Sequence, residues 1–312
     1  MLSVIIPLYN KAATVERAVR SVLNQTVQDF ELIVVNNGST DGGEKVVKQI
    51  HDERLRLVEQ DNKGVSMARN RGVVESRYDY VAFLDADDEW KPTFLETVLA
   101  LKERYPDCLV FATAYQRCDG KGNIQDIKLN CLPQSRIKTA NDIPTLIIDN
   151  YFEVAALSDP PFCSISVMVQ KASLEAIGGF PEGVHQGEDL LTWARLAATG
   201  TIAYCTLPQS IFYTGEQSAM DRPKRIPAED DVVGRELEKI YSNKPLPYLD
   251  QYIAKWHKMR ASIYLRLPHQ GRKCRSETRK SQHWHHNKKL YVYNILTFIP
   301  YALRMKLLKR LT

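Results

Sequence analysis

Three carboxylates follow an apolar, strand-like segment within four residues. The segment Tyr80–Leu84 is typical of a buried strand, and Asp85, Asp87 and Asp88 come directly after it. In an extended chain alternate side chains point the same way, so Asp85 and Asp87 would share one face. Like charges at the end of a buried strand are costly unless a cation lies between them. The pattern predicts a site for Mg²⁺ or Mn²⁺, which prefer oxygen ligands and are often shared with substrate phosphates. An acidic loop that caps the next helix is the alternative.

Polar residues also follow the first two predicted strands. The first strand ends in Pro7-Leu-Tyr-Asn10 without a glycine, which excludes the Gly-rich phosphate loops of dinucleotide-binding proteins and of nucleotidyltransferases that make sugar nucleotides. Tyr9 offers a ring on which a base could stack. Asn10, Asn36 and Asn37 offer amide groups for the edge of a base or for a ribose. Ordinary turn chemistry is the alternative for each of them.

Strand-like and helix-like segments alternate over the first 116 residues. Repeated βα units predict an α/β fold with a mostly parallel sheet that carries helices on both faces. In such sheets ligands bind at the carboxyl ends of the strands, where the acidic cluster lies. The predicted strands are Leu2–Pro7, Phe30–Val35, Leu55–Glu59, Tyr80–Leu84 and Leu109–Arg117, and the helices are 14–24, 65–75 and 92–105.

The middle of the chain is less regular. Strands are predicted at Ser164–Gln170 and at Ile202–Thr214, the latter broken at Pro208, with a helix at Leu190–Ala198 between them. Residues 120–160 are predicted to be irregular, with a short helix near Ile143–Asp149. Prolines then introduce helical segments, so we place a boundary between a catalytic domain, 1–220, and a helical region, 221–312.

Composition narrows the class of protein. The chain has 312 residues, of which 44% are hydrophobic and 25% charged, as in soluble globular proteins. The six cysteines form no Cys-x-x-Cys pair, which argues against a disulfide framework and a zinc site and suggests a reducing compartment. No secretory signal and no run of about 18 apolar residues is present, so a membrane-spanning helix is not expected.

Positive charge is concentrated in the last sixty residues. Residues 253–312 hold 15 Lys and Arg against one acid, Glu277, whereas the rest of the chain holds 27 basic and 36 acidic residues. Within this region, 288–312 is predicted to form an aromatic-rich amphipathic helix with cationic ends, which suits the surface of an anionic membrane. A helix packed on the catalytic domain is the alternative. Nucleic acid is not expected as a partner, because the catalytic half is acidic and carries no recognised binding module.

A histidine cluster lies just before that segment. The residues His283-Trp-His-His286 could bind a metal. We interpret them instead as solvated loop histidines near an anionic surface.

Taken in order, the motifs closely resemble the family 2 glycosyltransferases with the GT-A fold, in particular those of bacterial surface-polysaccharide (O-antigen or capsule type) synthesis. The resemblance covers about residues 1–215. The matching segments are Val4-Ile-Ile-Pro-Leu-Tyr-Asn10, Glu31-Leu-Ile-Val-Val-Asn-Asn-Gly-Ser-Thr-Asp41, Asn62-Lys-Gly64, Ala68-Arg-Asn-Arg-Gly72, Phe83-Leu-Asp-Ala-Asp-Asp88, Ile177-Gly-Gly-Phe-Pro181 and Gly187-Glu-Asp-Leu190.

The resemblance implies roles for particular residues. Pro7, Tyr9, Asn10 and the Asn36/Asn37 region would hold the nucleotide base, usually uracil. The family usually has aspartates where this chain has Asn36 and Asn37, and an amide oxygen is the weaker acceptor. Asp85 would contact the ribose or the metal, and Asp87 would ligate the divalent cation, Mn²⁺ or Mg²⁺. Lys63 or Arg69 would help to stabilise the diphosphate. Asp189, next to Glu188, would be the catalytic base, whereas helix capping is its alternative role.

The resemblance also implies an activity. The expected reaction is inverting transfer of a hexose or N-acetylhexosamine from a UDP-sugar. The expected acceptor, a lipid-linked (polyprenyl diphosphate) glycan, is inferred from the basic tail alone. The expected location is cytoplasmic, peripheral on the inner face of the cell membrane. Transfer directly to polyprenyl phosphate, or to a soluble or protein acceptor, is one alternative. A catalytically inactive nucleotide- or glycan-binding protein is another.

Overall fold

The computed structural model describes residues 1–132, 134–140, 143–215 and 226–311. The predicted domain boundary near residue 220 lies outside the described residues. The strands are β1 Leu2–Leu8, β2 Phe30–Asn37, β3 Leu55–Gln60, β4 Tyr80–Phe83, β5 Glu89–Trp90, β6 Val110–Cys118, β7 Ile124–Asp126, β8 Lys138–Ala140, β9 Ile143–Ile148, β10 Val167–Gln170 and β11 Ile202–Tyr213. The helices are α1 Val15–Leu23, α2 Gly43–Lys48, α3 Val65–Glu75, α4 Phe94–Arg104, α5 Tyr151–Leu157, α6 Lys171–Ala176, α7 Glu188–Thr199, α8 Val232–Asn243, α9 Leu249–Leu265, α10 Gly271–Trp284, α11 Lys289–Leu296 and α12 Tyr301–Leu311.

One mixed sheet organises the α/β part. Its strand order is β3-β2-β1-β4-β10-β6-β11-β9-β8, with β5 paired to β11 and β7 to β6. Strands β1 to β4 are parallel to their neighbours in that group, and β6 is parallel to β11. Strand β10 lies antiparallel between β4 and β6. The predicted α/β class with helices on both faces is confirmed, and the carboxyl ends of β1, β2 and β4 meet at one edge.

Successive side chains of the strands point to opposite faces of the sheet, so a hydrophobic core lies on each side of it. On β1, Ile5 belongs to the core that includes Phe83 and Trp193. Val4 and Ile6 belong to the opposite core, which includes Leu84 and Phe94. The first core continues into the helical region through residues of α8 and α9, Val233, Leu237, Leu249, Tyr252, Ile253 and Trp256.

Three local predictions were wrong, and the extended chain on which a fourth expectation was conditional is not present. The helix expected near Ile143–Asp149 is strand β9, because its residues pair antiparallel with β11. The region 120–160 also contains β7, β8 and α5. Strand β11 is not broken at Pro208: the register of its pairing with β6 shifts there, which accommodates a residue without an N–H. Asp85 and Asp87 lie in a turn closed by the bond from Asp88 N to Asp85 O, 3.0 Å, rather than in an extended chain.

The basic helical region also differs in detail from expectation. The segment 288–312 forms two helices, α11 and α12, separated around Pro300. His283 lies in helix α10 rather than in a loop. Among the described residues, no helix is long and apolar enough to span a membrane. All six cysteines are free.

Candidate active site

A cavity of about 1000 Å³ opens at the carboxyl ends of β1, β2 and β4. Most of the residues predicted from the sequence line it, although they come from segments far apart in the chain. They are Pro7, Tyr9, Asn37, Lys63, Arg69, Asp85, Asp87, Glu188 and Asp189. Tyr9 is 45% exposed, so its ring is available for stacking.

Asn10 and Asn36 are not among the residues that line the cavity. The Asn10 side chain accepts hydrogen bonds from Thr40 N and Thr40 Oγ1, and its positive φ of 51° is one that asparagine tolerates. The buried Asn36 amide donates to Glu59 Oε2 and accepts from Ser39 N. The structure thus gives both side chains a role in holding turns.

Asn37 positions a loop at the rim of the cavity. Its Oδ1 accepts from Gln60 Nε2 and from Lys63 N, and its Nδ2 donates to Asn62 Oδ1. These bonds hold the backbone of the loop that carries Lys63, whose exposed side chain lines the cavity. Lys63 is therefore well placed to reach a bound anion.

Arg69 joins the acidic turn to the helix that carries Asp189. Its guanidinium donates to Asp85 Oδ1 at 2.8 Å and to Glu188 Oε1 at 3.2 Å, and the side chain is only 3% exposed. Burial opposes the charge, but Asp85 and Glu188 outweigh it and raise the Arg69 pKa. Because Arg69 is already shared by two carboxylates, we assign it a positioning role between the two halves of the site.

Asp189 lies in the first turn of α7. Gly187, with φ of 80°, is the N-cap of this helix, so Asp189 does not cap it. A Cβ at position 187 would come within 2.6 Å of the Trp256 ring, which explains the glycine. Burial and the charge of Glu188 raise the pKa of Asp189 to about 7, against the opposing effects of Arg69 and of the Leu190 N–H. A carboxylate with this pKa can accept a proton near neutral pH.

Asp87 and Asp85 supply the oxygen atoms on which a divalent cation could bind. The Asp87 side chain is 37% exposed at the cavity, and its Oδ2 is paired at 2.5 Å with Lys11 Nζ, a contact that the sequence analysis missed. Lys11 shows that a positive charge is favoured at this oxygen. The Lys11 side chain is 42% exposed, so a cation from solvent could take the place of its ammonium group. The hard carboxylate oxygens and their place in the cavity fit Mg²⁺ or Mn²⁺.

Asp88 is the third acid of the turn and points into the protein. Its Oδ1 accepts from Tyr213 N at 2.8 Å, whereas its Oδ2 has no hydrogen-bond partner among the described residues. Burial, together with the charges of Asp85 and Asp87, raises the pKa of Asp88 to about 9. The protonated form is therefore the one that the fold accommodates.

This raised pKa makes a prediction about stability. Between about pH 4 and pH 9 the folded protein keeps a proton on Asp88 that the unfolded chain releases. Wild-type stability therefore falls as pH rises, by up to about 1.4 kcal/mol per pH unit. Asp88→Asn keeps an acceptor for Tyr213 N and removes this loss. We expect its thermal unfolding midpoint to exceed that of wild type by more at pH 8 than at pH 5. A pH-independent difference would contradict the assignment.

Comparison with known proteins agrees with the architecture. The model of the family "Glycosyl transferase family 2" matches residues 3–159, just over half of the chain. The chain belongs to this family. The putative teichuronic acid biosynthesis glycosyltransferase TuaG of Bacillus subtilis is 32% identical over 208 residues, which are 65% of this chain and 75% of TuaG. The uncharacterized glycosyltransferase YibD of Escherichia coli is 43% identical over 102 residues, 32% of this chain and 30% of YibD.

Other relatives are much longer than the matched region. An uncharacterized glycosyltransferase of Rickettsia bellii is 32% identical over 199 residues, which are 63% of this chain but 26% of that protein. The chain thus spans about a quarter to a third of the first curated relatives that it matches. Among solved structures, S. aureus TarS 1–349 in complex with UDP-GlcNAc has a TM-score of 0.65 at 17% identity, over 98% of this chain and 88% of that one. At this identity the likeness shows the fold, which agrees with GT-A.

Proposed function

We propose that this family 2 glycosyltransferase transfers a hexose or N-acetylhexosamine from a UDP-sugar, with inversion, in surface polysaccharide synthesis. One observation carries the proposal: the Asp85/Asp87 turn and Asp189 face the same cavity and are connected through Arg69 and Glu188. A candidate diphosphate anchor and a candidate proton acceptor thus line one cavity. The complexes of TarS with UDP-GlcNAc and with UDP support a uridine nucleotide as donor.

The reaction needs charge stabilisation at one end of the cavity and a base at the other. A divalent cation, when bound, would neutralise charge on the departing diphosphate. Asp85 and Asp87 would hold this ion, and Lys63 reaches the same anion from the loop that Asn37 holds. Asp189 takes the proton of the attacking acceptor hydroxyl. With one base and no assigned carboxylate nucleophile, the mechanism is a single displacement, so an α-linked donor gives a β-linked product.

A screen of donors tests this proposal directly. We expect UDP-sugars with Mn²⁺ to raise the thermal unfolding midpoint more than GDP- or dTDP-sugars, because a ligand that binds only the folded state stabilises it. The protein should also hydrolyse the same UDP-sugar slowly when no acceptor is present. A nucleotide that binds but is never hydrolysed, even with acceptors present, would favour an inactive binding protein. Mass analysis of products with polyprenyl diphosphate glycans, polyprenyl phosphate and soluble acceptors then identifies the acceptor.

The proposed acceptor is a glycan on a polyprenyl diphosphate, and the proposed location is the cytoplasmic face of the cell membrane. Helices α11 and α12 support this proposal. One side packs through Leu290, Leu296 and Leu308, the last two against Ala261 and Tyr264. The other side, here called the exposed apolar face, carries Tyr291, Val292, Ile295, Phe298, Tyr301 and Leu303, which are 43–76% exposed.

Charge complementarity supports an anionic membrane as the proposed partner of this face. The exposed lysines Lys288, Lys289, Lys306 and Lys309 lie in or next to the same two helices. Each basic residue near an anionic leaflet contributes roughly 1 kcal/mol, and the apolar side chains add to this by burial. Reversible attachment that weakens with salt is the expected behaviour.

Removing residues 288–312 is expected to release the protein from anionic vesicles. That deletion would also expose the small core beneath Leu296 and Leu308, so a surface variant is the cleaner test. We expect Ile295→Glu/Phe298→Glu to co-sediment at least tenfold less with anionic vesicles at low salt, because two carboxylates would enter the apolar boundary. Val74→Glu, at a position 74% exposed on α3, is the matched control and should bind like wild type. If the wild-type protein does not bind anionic vesicles, the proposal of a lipid-linked acceptor loses this support.

A further inference from the structure

The helical region packs directly against the turn of the chain that carries Asp189. Gly187 is the N-cap of α7, and Glu188 and Asp189 lie in its first turn. A Cβ built on Gly187 would lie 2.5 Å from Cζ3 and 2.6 Å from Cη2 of Trp256, a residue of α9. It would also lie 3.6 Å from Cγ2 of Val233, a residue of α8. The six-membered ring of Trp256 therefore packs on the backbone from which the first turn of α7 starts.

Trp256 is held in this position by Asp231, the N-cap of α8. The indole Nε1–H donates to Asp231 Oδ1 at 3.0 Å, and the same oxygen accepts from Gly234 N at 3.0 Å. Arg260 Nε lies 3.3 Å from Asp231 Oδ2 and places a positive charge beside this carboxylate. Both Trp256 and Asp231 are buried. The ring that packs on Gly187 is thus fixed by contacts with both α8 and α9.

Tyr252, one turn before Trp256 on α9, contacts the same turn of α7. Its hydroxyl donates to Leu190 O at 3.3 Å. Leu190 is also the residue whose N–H donates to Asp189 Oδ1 at 2.8 Å. Burial raises the pKa of Tyr252, and the nearby charge of Asp189 adds to the rise, so the hydroxyl stays protonated. One residue of α7 is therefore hydrogen-bonded both to the proposed base and to α9.

Helix α7 has further contacts with the helical region. Arg195 Nη2, in the second half of α7, lies 2.9 Å from Glu236 Oε2 on α8. Buried side chains of α7 share one hydrophobic core with those of α8 and α9. On the side of the catalytic domain, Arg69 donates to Glu188, the neighbour of Asp189. The orientation of the Asp189 side chain therefore depends on where α8 and α9 hold α7, as well as on Arg69.

We propose that Trp256 and Tyr252 are positioning residues for the base, so that the helical region is a necessary part of the catalytic unit. This inference rests on the proposed function, because that function gives Asp189 the role of base. Neither Trp256 nor Tyr252 lines the large cavity, so both act through α7 and touch no substrate. A reacting group displaced by 1 Å can lower a rate by about 10²-fold, so a small shift of α7 is enough.

Two conservative substitutions on α9 test this proposal. Trp256→Phe removes the ring atoms that pack on Gly187 and the N–H that Asp231 accepts, and we expect it to lower turnover by about 10- to 100-fold. Tyr252→Phe removes only the hydroxyl, with an expected loss of roughly three- to tenfold, the usual range for one hydrogen bond. Turnover is measured as UDP release, with Mn²⁺, from the UDP-sugar that stabilises the protein most. Calorimetry of UDP with Mn²⁺ should give wild-type affinity for both variants.

The helical region itself offers matched controls. Tyr264 also lies on α9 and donates to a backbone oxygen, Pro227 O at 3.1 Å, but it belongs to a different hydrophobic core. Tyr264→Phe is therefore the control for Tyr252→Phe. Trp284→Phe, which changes a tryptophan of α10 that contacts α8, is the control for Trp256→Phe. Both controls should release UDP at the wild-type rate, and circular dichroism checks that all four variants are folded.

Coupling to Asp189 distinguishes positioning from a general loss of stability. If Trp256 acts through the base, adding Trp256→Phe to Asp189→Asn should lower turnover no further. The inference is overturned if both α9 variants keep wild-type turnover, or if Trp256→Phe lowers turnover by the same factor with and without the Asp189 carboxylate.

Failure of the proposed function gives a different result. A wild-type protein that releases no UDP from any UDP-sugar would overturn that function, and this inference with it. If Asp189→Asn loses turnover while Trp256→Phe and Tyr252→Phe keep it, the proposed function stands and only this inference fails.

Discussion

Replacing Asp189 with asparagine is expected to lower turnover by about 10²–10⁴-fold, the usual contribution of a positioned general base, and to leave donor binding intact. Asparagine keeps the shape of the side chain and an oxygen for the Leu190 N–H, which lies 2.8 Å from Asp189 Oδ1. It cannot take a proton from the acceptor hydroxyl. Turnover and donor affinity, measured separately by steady-state kinetics and calorimetry, distinguish the two effects.

The pH dependence of wild type provides a further check on the same residue. The base acts in its ionised form, and burial raises the pKa of Asp189 to about 7. Turnover should therefore fall as pH drops through about 7, and this limb should be absent from the residual activity of Asp189→Asn. Glu188→Gln is the neighbouring control, because Glu188 accepts from Arg69 and is expected to orient the site. A large loss in Glu188→Gln with none in Asp189→Asn would transfer the role of base to Glu188.

Asp87→Ala is expected to abolish metal-dependent binding of UDP. The substitution removes a carboxylate that faces the cavity and would bind the metal directly. Replacing residues that only support metal ligands typically lowers metal affinity by about 10–100-fold, so we expect Asp87→Ala to lower metal-dependent UDP affinity by at least about 100-fold. Calorimetry of UDP with and without Mn²⁺ measures it. Wild-type affinity in the variant would remove Asp87 from the metal site.

Two variants control for general damage to the acidic turn. Lys11→Met removes the ion pair to Asp87 but keeps the carboxylate, so Mn²⁺-dependent binding should persist. Asp88→Asn changes an acid that points away from the cavity and should also retain binding. If both variants lose UDP binding as completely as Asp87→Ala, the loss results from disruption of the turn and not from removal of a metal ligand.

The sequence by itself determined the α/β class, the positions of most strands and helices in the first 116 residues, and the candidate acids. Strand alternation and the order of βα units suffice for this, because the carboxyl ends of parallel strands must meet at one edge. Asp85 and Asp87 could be placed at that edge on this reasoning, whereas Asp189 was assigned only through the family resemblance, and the structure shows that all three line one cavity. The domain division at 220 and the individual site roles remain predictions.

Only the tertiary structure decided which polar side chains already have a hydrogen-bond or ion-pair partner within the protein. Arg69 is held by Glu188, 119 positions away, Asp87 pairs with Lys11, 76 positions away, and the Asn36 amide is taken by Glu59. Ile143–Ile148 forms a strand because β11 offers it an antiparallel edge. His257 meets Glu238 and Glu277 only because three helices pack together. Such contacts depend on how distant elements pack, and local patterns of residue type carry no information about them.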